Sequence, residues 1–463
     1  MKNQIFLRWF ILLLTILITL KHSQAKHAHP ISEISRIFDQ IPNPIRKWWI
    51  YRKKFQEAEL KLTGPVVMSG LLSFLAASIS SAGGIGGGGL FIPILSIVAN
   101  LDLKTASSLS AFMVSGGSFA NVMCQLFMKN SKYGGRTLID YDIALLSEPC
   151  MLLGVSAGVI CNIMFPEWLI TALFAVFLAC CTFKTCYSGL LFWKMESEKG
   201  RGNGVGKSEN GDFRGREGVK SFEEPLLRRK MENCDLGIPW MKLGALAVVW
   251  FSFLLLYLLR GDRYGQSLVP MEPCGVVYWI LAALQIPLAI LFTAWILCKR
   301  ESHDRASYLQ EQEDQIIGSR PSNKLIFPGM ALLAGALGGV FGIGGGMLIS
   351  PLLLQVGISP EVTAATCSFM VFFSSTMSAI QFLLLGMEHV LGALIFAFIC
   401  FVASILGLVV VQRSIERHGR ASLIVFSVGI VMGLSTVLMT SFGAFDVWRD
   451  YSSGKYMGFK LPC

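Results

Sequence analysis

The residues here that point to chemistry are glycines, and they come as a matched pair of runs. Gly84-Ile85-Gly86-Gly87-Gly88-Gly89-Leu90-Phe91-Ile92-Pro93-Ile94-Leu95 recurs 258 positions later as Gly342-Ile343-Gly344-Gly345-Gly346-Met347-Leu348-Ile349-Ser350-Pro351-Leu352-Leu353, with eight of twelve positions identical. Each glycine costs roughly 1 kcal/mol in a helix interior and opens backbone angles a helix does not use. An apolar helix is therefore predicted to break over Gly84–Gly89 and to restart near Leu90, with Pro93 tolerated in the new first turn. The second run, ending in Pro351, predicts the same. A restarted helix presents free amide N–H groups and the positive end of its dipole, and both favour an anion. Gly84, Gly86, Gly87, Gly88 and Pro93, with Gly342, Gly344, Gly345, Gly346 and Pro351, are thus candidate contacts for a small oxyanion held without a charged side chain. A second reading stays open, because glycine also lets membrane helices pack closely.

The segments after the two runs add a polar stripe each. Ser107, Ser110, Ser118, Asn121 and Gln125 fall at helical spacing with Val114 as the gap, and Thr363, Thr366, Ser374, Ser378 and Gln381 do so with Met370 as the gap. The repeat continues into them: Thr105-Ala106 matches Thr363-Ala364, Ser110 matches Ser368, and Gln125 aligns with Gln381 after a small shift. Such one-sided stripes line a polar path or tie helices together by hydrogen bonds; Ser107, Ser110, Asn121, Gln125, Thr366, Ser368 and Gln381 are the substrate-path candidates. Charge inside apolar segments is scarce. Glu148 is a candidate proton-coupling group, with a merely structural role as the alternative, and Lys184 is expected to snorkel.

Other chemistries are excluded by pattern. The 12 cysteines form no CxxC pair and the six histidines are scattered, so neither a metal site nor a disulfide framework is expected. No nucleophile–His–carboxylate set lies in the apolar segments, no Gly-Lys-Ser/Thr follows either glycine run, and no cofactor is implied. The net charge of +10 sits in a few loops, which excludes a nucleic-acid module and suits a bilayer-flanking surface.

The elements that must position these residues are membrane helices. Of the 463 residues 53% are hydrophobic and 15% charged, and the mean hydropathy is +0.57. Ten apolar segments occur, at 66–99, 105–128, 143–165, 168–192, 243–259, 274–298, 325–354, 362–385, 390–411 and 421–442. Most have the ~20 residues a spanning helix needs. The predicted fold is an all-α polytopic membrane protein of about ten transmembrane helices, eleven if the N-terminal segment is uncleaved, built from two repeats with glycine-broken helices. Its parts are a signal peptide or signal-anchor over 1–25, a basic amphipathic segment 26–64, a first repeat 65–192, a basic loop 193–242 predicted to be disordered, two linking helices in 243–298, a charged loop 299–324, a second repeat 325–442 and a tail 443–463. Glu223-Glu224-Pro225-Leu226-Leu227 resembles an acidic dileucine sorting signal.

If all ten segments cross, Lys and Arg number 29 on the face holding residues 31–64 and 6 on the other, which assigns the first face to the cytosol. A leader cleaved after Ala25 conflicts with that count; an uncleaved anchor does not. Six segments between the starts of the two repeats predict parallel repeats about an axis along the membrane normal.

The duplicated GIGGG-L-x-x-P-x-L pattern, followed each time by a Thr-Ala-x-x-x-Ser helix start, resembles the TauE/SafE sulfite exporter family, also called the toluene-sulfonate uptake permeases. The resemblance covers about 65–442, and the central loop and N-terminal extension resemble its plant-type branch. It implies a polytopic transporter for small sulfur-containing or organic anions, such as sulfite or sulfonates, and places the motif on the ten glycines and prolines named above. Met347 stands where the first repeat has Gly89, so the two half-sites need not be equivalent. The partners implied are a small anionic substrate, the lipid bilayer and a coupling proton or ion; the oligomeric state is unknown from sequence. A membrane scaffold or sensor acting through the 194–242 loop is the alternative.

Overall fold

The computed structural model describes residues 64–84, 88–127, 138–202, 240–260, 275–310, 326–355, 358–387, 389–418, 422–452 and 458, all within one unit spanning 58–463. Gly86 and Gly87, the leader, the basic segment to residue 63 and the dileucine-like sequence lie outside these residues. Among the described residues there are no strands. The first repeat supplies α1 (Gly64–Ser80), α2 (Gly88–Pro93, running on through a π-helical turn Ile94–Val98), α3 (Leu103–Phe127), α4 (Tyr141–Met164) and α5 (Glu167–Gly202). Two linking helices follow, α6 (Trp240–Arg260) and α7 (Val276–Gln310). The second repeat repeats the series as α8 (Ile326–Phe341), α9 (Gly346–Gln355), α10 (Pro360–Leu384), α11 (Val390–His418) and α12 (Ser422–Ser452).

Both glycine runs break their helices, as the composition dictates. α1 ends in a tight turn, Ser81–Gly83, closed by Gly84 in the left-handed region at φ 72°. α8 ends at Phe341, and Gly342, Gly344 and Gly345 follow at φ 65°, 72° and 69°. These angles reverse the chain. A Cβ built on Gly345 would lie 2.7 Å from the Ala334 carbonyl oxygen, eleven residues back; a helix running straight on would have carried Gly345 ~16 Å past it. In the first repeat the π turn 94–98 packs back against α1. Each broken segment is therefore a hairpin of two half-helices, not a kinked rod.

Seven described helices, α4 to α7 and α10 to α12, are long and apolar enough to cross a membrane. α3, with 25 residues, has the length but not the apolarity, because its polar stripe dilutes it. Its polar residues are spared lipid: Ser107, Ser110, Ser118 and Asn121 are fully buried, as are Thr363, Ser374, Ser378 and Gln381 on α10. α3 and α10 form the centre. The helices α6 and α7 lie at the periphery and expose Val248, Phe251, Leu255, Ile280, Ile290 and Leu291.

Equivalent helices of the two repeats run in opposite directions. On α3 and α10 the Ser118 and Ser375 hydroxyls lie 3.5 Å apart, while Asn121 reaches back to Ser368 at 3.3 Å. On α5 and α12 Thr182 meets Thr436, and Trp193 meets Phe426. The parallel repeats expected from an even number of spans do not form. The physical reason is the fold-back: the first broken segment returns to the side it came from, so five crossings, α3 to α7, separate the two repeats and the second is inverted.

Close packing along the helix seams uses further glycines. A Cβ on Gly335 of α8 would sit 2.0 Å from the Met151 carbonyl oxygen of α4, and one on Gly158 of α4 would sit 2.1 Å from that of Ala336. The matching seam of the inverted repeat joins α1 to α11, where Gly407 lies equally close to the Ser78 carbonyl oxygen.

Candidate functional site

The two hairpin tips meet at the middle of the bundle. A Cβ on Gly88 would fall 2.8 Å from Cβ of Ile343, and one on Gly346 would fall 3.6 Å from the Gly84 carbonyl oxygen. Each tip also rests on the opposite repeat. A Cβ at Gly84 would lie 2.1 Å from the Ala364 carbonyl oxygen on α10, and at Gly342, 1.9 Å from that of Ser107 on α3. Gly344 faces Val371, Ser375 and Val114. The glycines named from sequence, where described, break the helices, with left-handed turns at Gly84, Gly342, Gly344 and Gly345, and let the tips approach backbone to backbone. Pro93 and Pro351 lie buried as the sixth residue of each restarted half-helix, past the first turn expected for them, and each leaves the carbonyl four residues back without its backbone donor.

A break inside an apolar core frees carbonyls that must find donors. Four accept from a side chain of another helix, three of them at the breaks and the fourth at Gly89, whose helical donor would be the N–H that Pro93 lacks. Asn121 Nδ2 donates to the Ser81 oxygen at 3.1 Å, and Asn162 Nδ2 to the Val340 oxygen at 2.7 Å. Ser374 Oγ donates to the Gly344 oxygen at 2.7 Å, and Ser435 Oγ to the Gly89 oxygen. Asn162, on α4, also donates to Ser107 Oγ at 3.0 Å. Asn162 and Ser435 cap the tips and lie outside the stripes read from the sequence; Asn162, a lone amide in the run 159–164, carries a signal that could have marked it, while Ser435, beside Thr436, carries none.

These bonds sort the two stripes. Ser107 has structural partners, donating to the Lys104 oxygen while accepting from Asn162. Thr366 Oγ1 accepts from the Asp140 backbone amide at 2.9 Å, ahead of α4, and Ser368 accepts from Asn121. A second set is buried with an atom unmatched: the hydroxyls of Ser110 and Ser378, Asn121 Oδ1, Gln125 Oε1 and Gln381 Oε1. The amide of Gln381 is held by its other end, Nε2 donating to Ser156 Oγ at 2.9 Å. Buried polar atoms without partners are uncommon and costly. They lie on the two helices that cross between the tips.

Glu148 is fully buried on α4, with no hydrogen-bond partner for either oxygen. It sits on the face of α4 that carries Tyr141, Ala144 and Met151, and the Met151 methyl packs 3.0 Å from where a Gly345 side chain would begin. A carboxylate so placed is expensive unless neutralised or met by a partner in another conformation. Lys184 is exposed on α5.

Beside the first tip is a small cavity of about 10 Å³, lined by Gly83, Thr185, Ser350, Thr363, Ala364 and their neighbours. It holds at most about one water. The tips are closed on each other in this conformation.

With that geometry in place, the chain can be set beside known proteins. The family model described as "Sulfite exporter TauE/SafE" matches residues 2–185 and 230–443. "Sulfite exporter TauE/SafE family protein 2" of Arabidopsis thaliana is 60% identical over 432 residues, which are 92% of this chain and 93% of that protein. "Sulfite exporter TauE/SafE family protein 5" of the same plant is 59% identical over 419 residues, 90% of this chain and 92% of that protein. "Family protein 3" is still 31% identical over 415 residues, 88% and 84% of the two chains. No solved structure matches the chain.

Proposed function

The chain belongs to the TauE/SafE sulfite exporter family, and on that premise we propose that it is a secondary carrier for small sulfur oxyanions or sulfonates, working in the plasma membrane or the endomembrane system. The observation that carries this reading is the pair of inverted hairpins. Their glycine tips touch at the centre, and two stripes of buried, partly unmatched polar groups run past them. The carbonyl ends of the breaks are capped from within the protein, so the amide ends of the restarted half-helices are the donors left to offer an anion. Broken helices at a repeat interface, used as ion sites, are a general device of secondary carriers.

Transport then requires the tips to part. One hairpin reaches in from each face, so separating α2 from its neighbours opens the path one way and separating α9 opens it the other. Ser110, Gln125, Ser378 and Gln381 are the side chains whose unmatched atoms the passing anion meets. Glu148, beside the second tip, is the candidate coupling group, exchanging a proton when the α4–α8 seam opens. The test is radiolabelled sulfite and sulfonate flux in proteoliposomes, with and without an imposed proton gradient. The reading expects flux above protein-free vesicles for at least one of these anions; none for any would remove it. Gradient-driven accumulation lost in Glu148→Gln, with exchange retained, would support the coupling role, and unchanged accumulation would end it.

A further inference from the structure

Arg260 closes α6 at the periphery of the bundle, away from the hairpin tips, yet only 3% of it is exposed. Among the described residues it is the one Lys or Arg that is buried. Its guanidinium carbon lies 5.0 Å from the ring centre of Tyr257, one turn back on α6, and 4.6 Å from that of Tyr278, at the start of α7. These contacts are made over the ring faces. Nε has no hydrogen-bond partner, and no carboxylate of the described residues pairs with the group. A second unmatched donor, Nε2 of Gln285, lies two turns further along the same buried stripe of α7.

A buried cation without a partner is costly, and aromatic contact offsets only part of the cost. The helix C-terminus offers Arg260 favourable carbonyl dipoles, but the fork geometry is matched by two oxygens of one oxyanion, bound side by side. We infer that Arg260, framed by Tyr257 and Tyr278 at the α6–α7 mouth, is an oxyanion-binding site separate from the hairpin centre. The ligand is either a free sulfur oxyanion of the proposed substrate class, in which case the inference rests on that reading, or the phosphate of a lipid headgroup at the bilayer boundary. The two sources share one chemistry and differ in where the oxyanion comes from.

The test uses purified full-length protein, wild type and Arg260→Gln, with sulfite affinity measured by calorimetry and retained phospholipid counted by native mass spectrometry. The site predicts at least a tenfold loss of sulfite affinity, or loss of a retained phospholipid, in Arg260→Gln. The first result assigns the site to the free anion and the second to the headgroup. Arg260→Lys keeps the charge without the fork and is expected to fall between the two; it carries the test if Arg260→Gln does not fold. Sulfite affinity and phospholipid content both unchanged in the variant would overturn the inference. Flux takes no part in the readout. A protein that transports with its Arg260 variant binding normally leaves the carrier standing and removes this site, and one that binds through Arg260 without transporting does the reverse.

Discussion

Gly342 shows how a single hydrogen in place of a side chain decides the tips. Its backbone is left-handed, and a Cβ would press 1.9 Å from the Ser107 carbonyl oxygen. Gly342→Ala and Gly84→Ala are therefore expected to destabilise the protein by about 2–4 kcal/mol each, from the strained backbone and the overlap together, seen as a lower thermal midpoint in detergent. Asn162→Ala leaves the Val340 carbonyl and the Ser107 hydroxyl short of a donor and should cost roughly 1–3 kcal/mol in the same assay. Ser110→Ala and Ser378→Ala remove hydroxyls that bond to nothing in this conformation, so their thermal midpoints should not fall. The stripes themselves were legible in the sequence, because 3.6-residue spacing groups Ser107 with Gln125 and Thr363 with Gln381. Which members cap carbonyls and which stay unmatched was not legible, since Asn121 meets Ser81 and Asn162 meets Val340 only once separate helices have packed.

At the scale of the element, the glycine runs announced a break but not the direction taken after it. A break restarts a helix along its old axis or folds it back, and the choice rests on left-handed angles at Gly84, Gly342, Gly344 and Gly345 together with the packing surface the returning half finds. That surface is the hairpin's own first half and the opposite repeat, which local sequence does not describe. α3, read from sequence as the segment 105–128, is less apolar than the seven membrane-crossing helices for a related reason: a helix buried among helices is free to be polar. The fold-back also sets α3 antiparallel to α10, and this has a direct check. In a background without native cysteines, Ser118→Cys with Ser375→Cys should cross-link on mild oxidation, because the two hydroxyls lie 3.5 Å apart. The discriminating pair is Asn121→Cys with Ser368→Cys, whose side chains lie 3.3 Å apart only in the antiparallel arrangement; repeats in parallel register would offset them by ~16 Å and give no link.

For the whole molecule, inversion redraws the charge map. With the hairpins returning to their own sides, the C-terminal ends of α3, α5, α7 and α11 share one face, and the sequence that follows those ends holds most of the Lys and Arg between helices. The positive-inside rule then predicts the cytosol on that face and the start of α1 on the opposite one. An epitope tag within 203–239 should be reached by antibody only after permeabilisation, and one within 26–63 in intact cells or sealed right-side-out vesicles; the reverse pattern would refute the inverted count. The same architecture makes the central claim, that an anion passes between the two glycine tips along α3 and α10. Its most direct measurement is radiolabelled sulfite flux through proteoliposomes bearing the double variant Ser110→Ala/Ser378→Ala, beside wild type at matched protein content. The account predicts flux lowered at least tenfold with the thermal midpoint held. Wild-type flux in the double variant would contradict it.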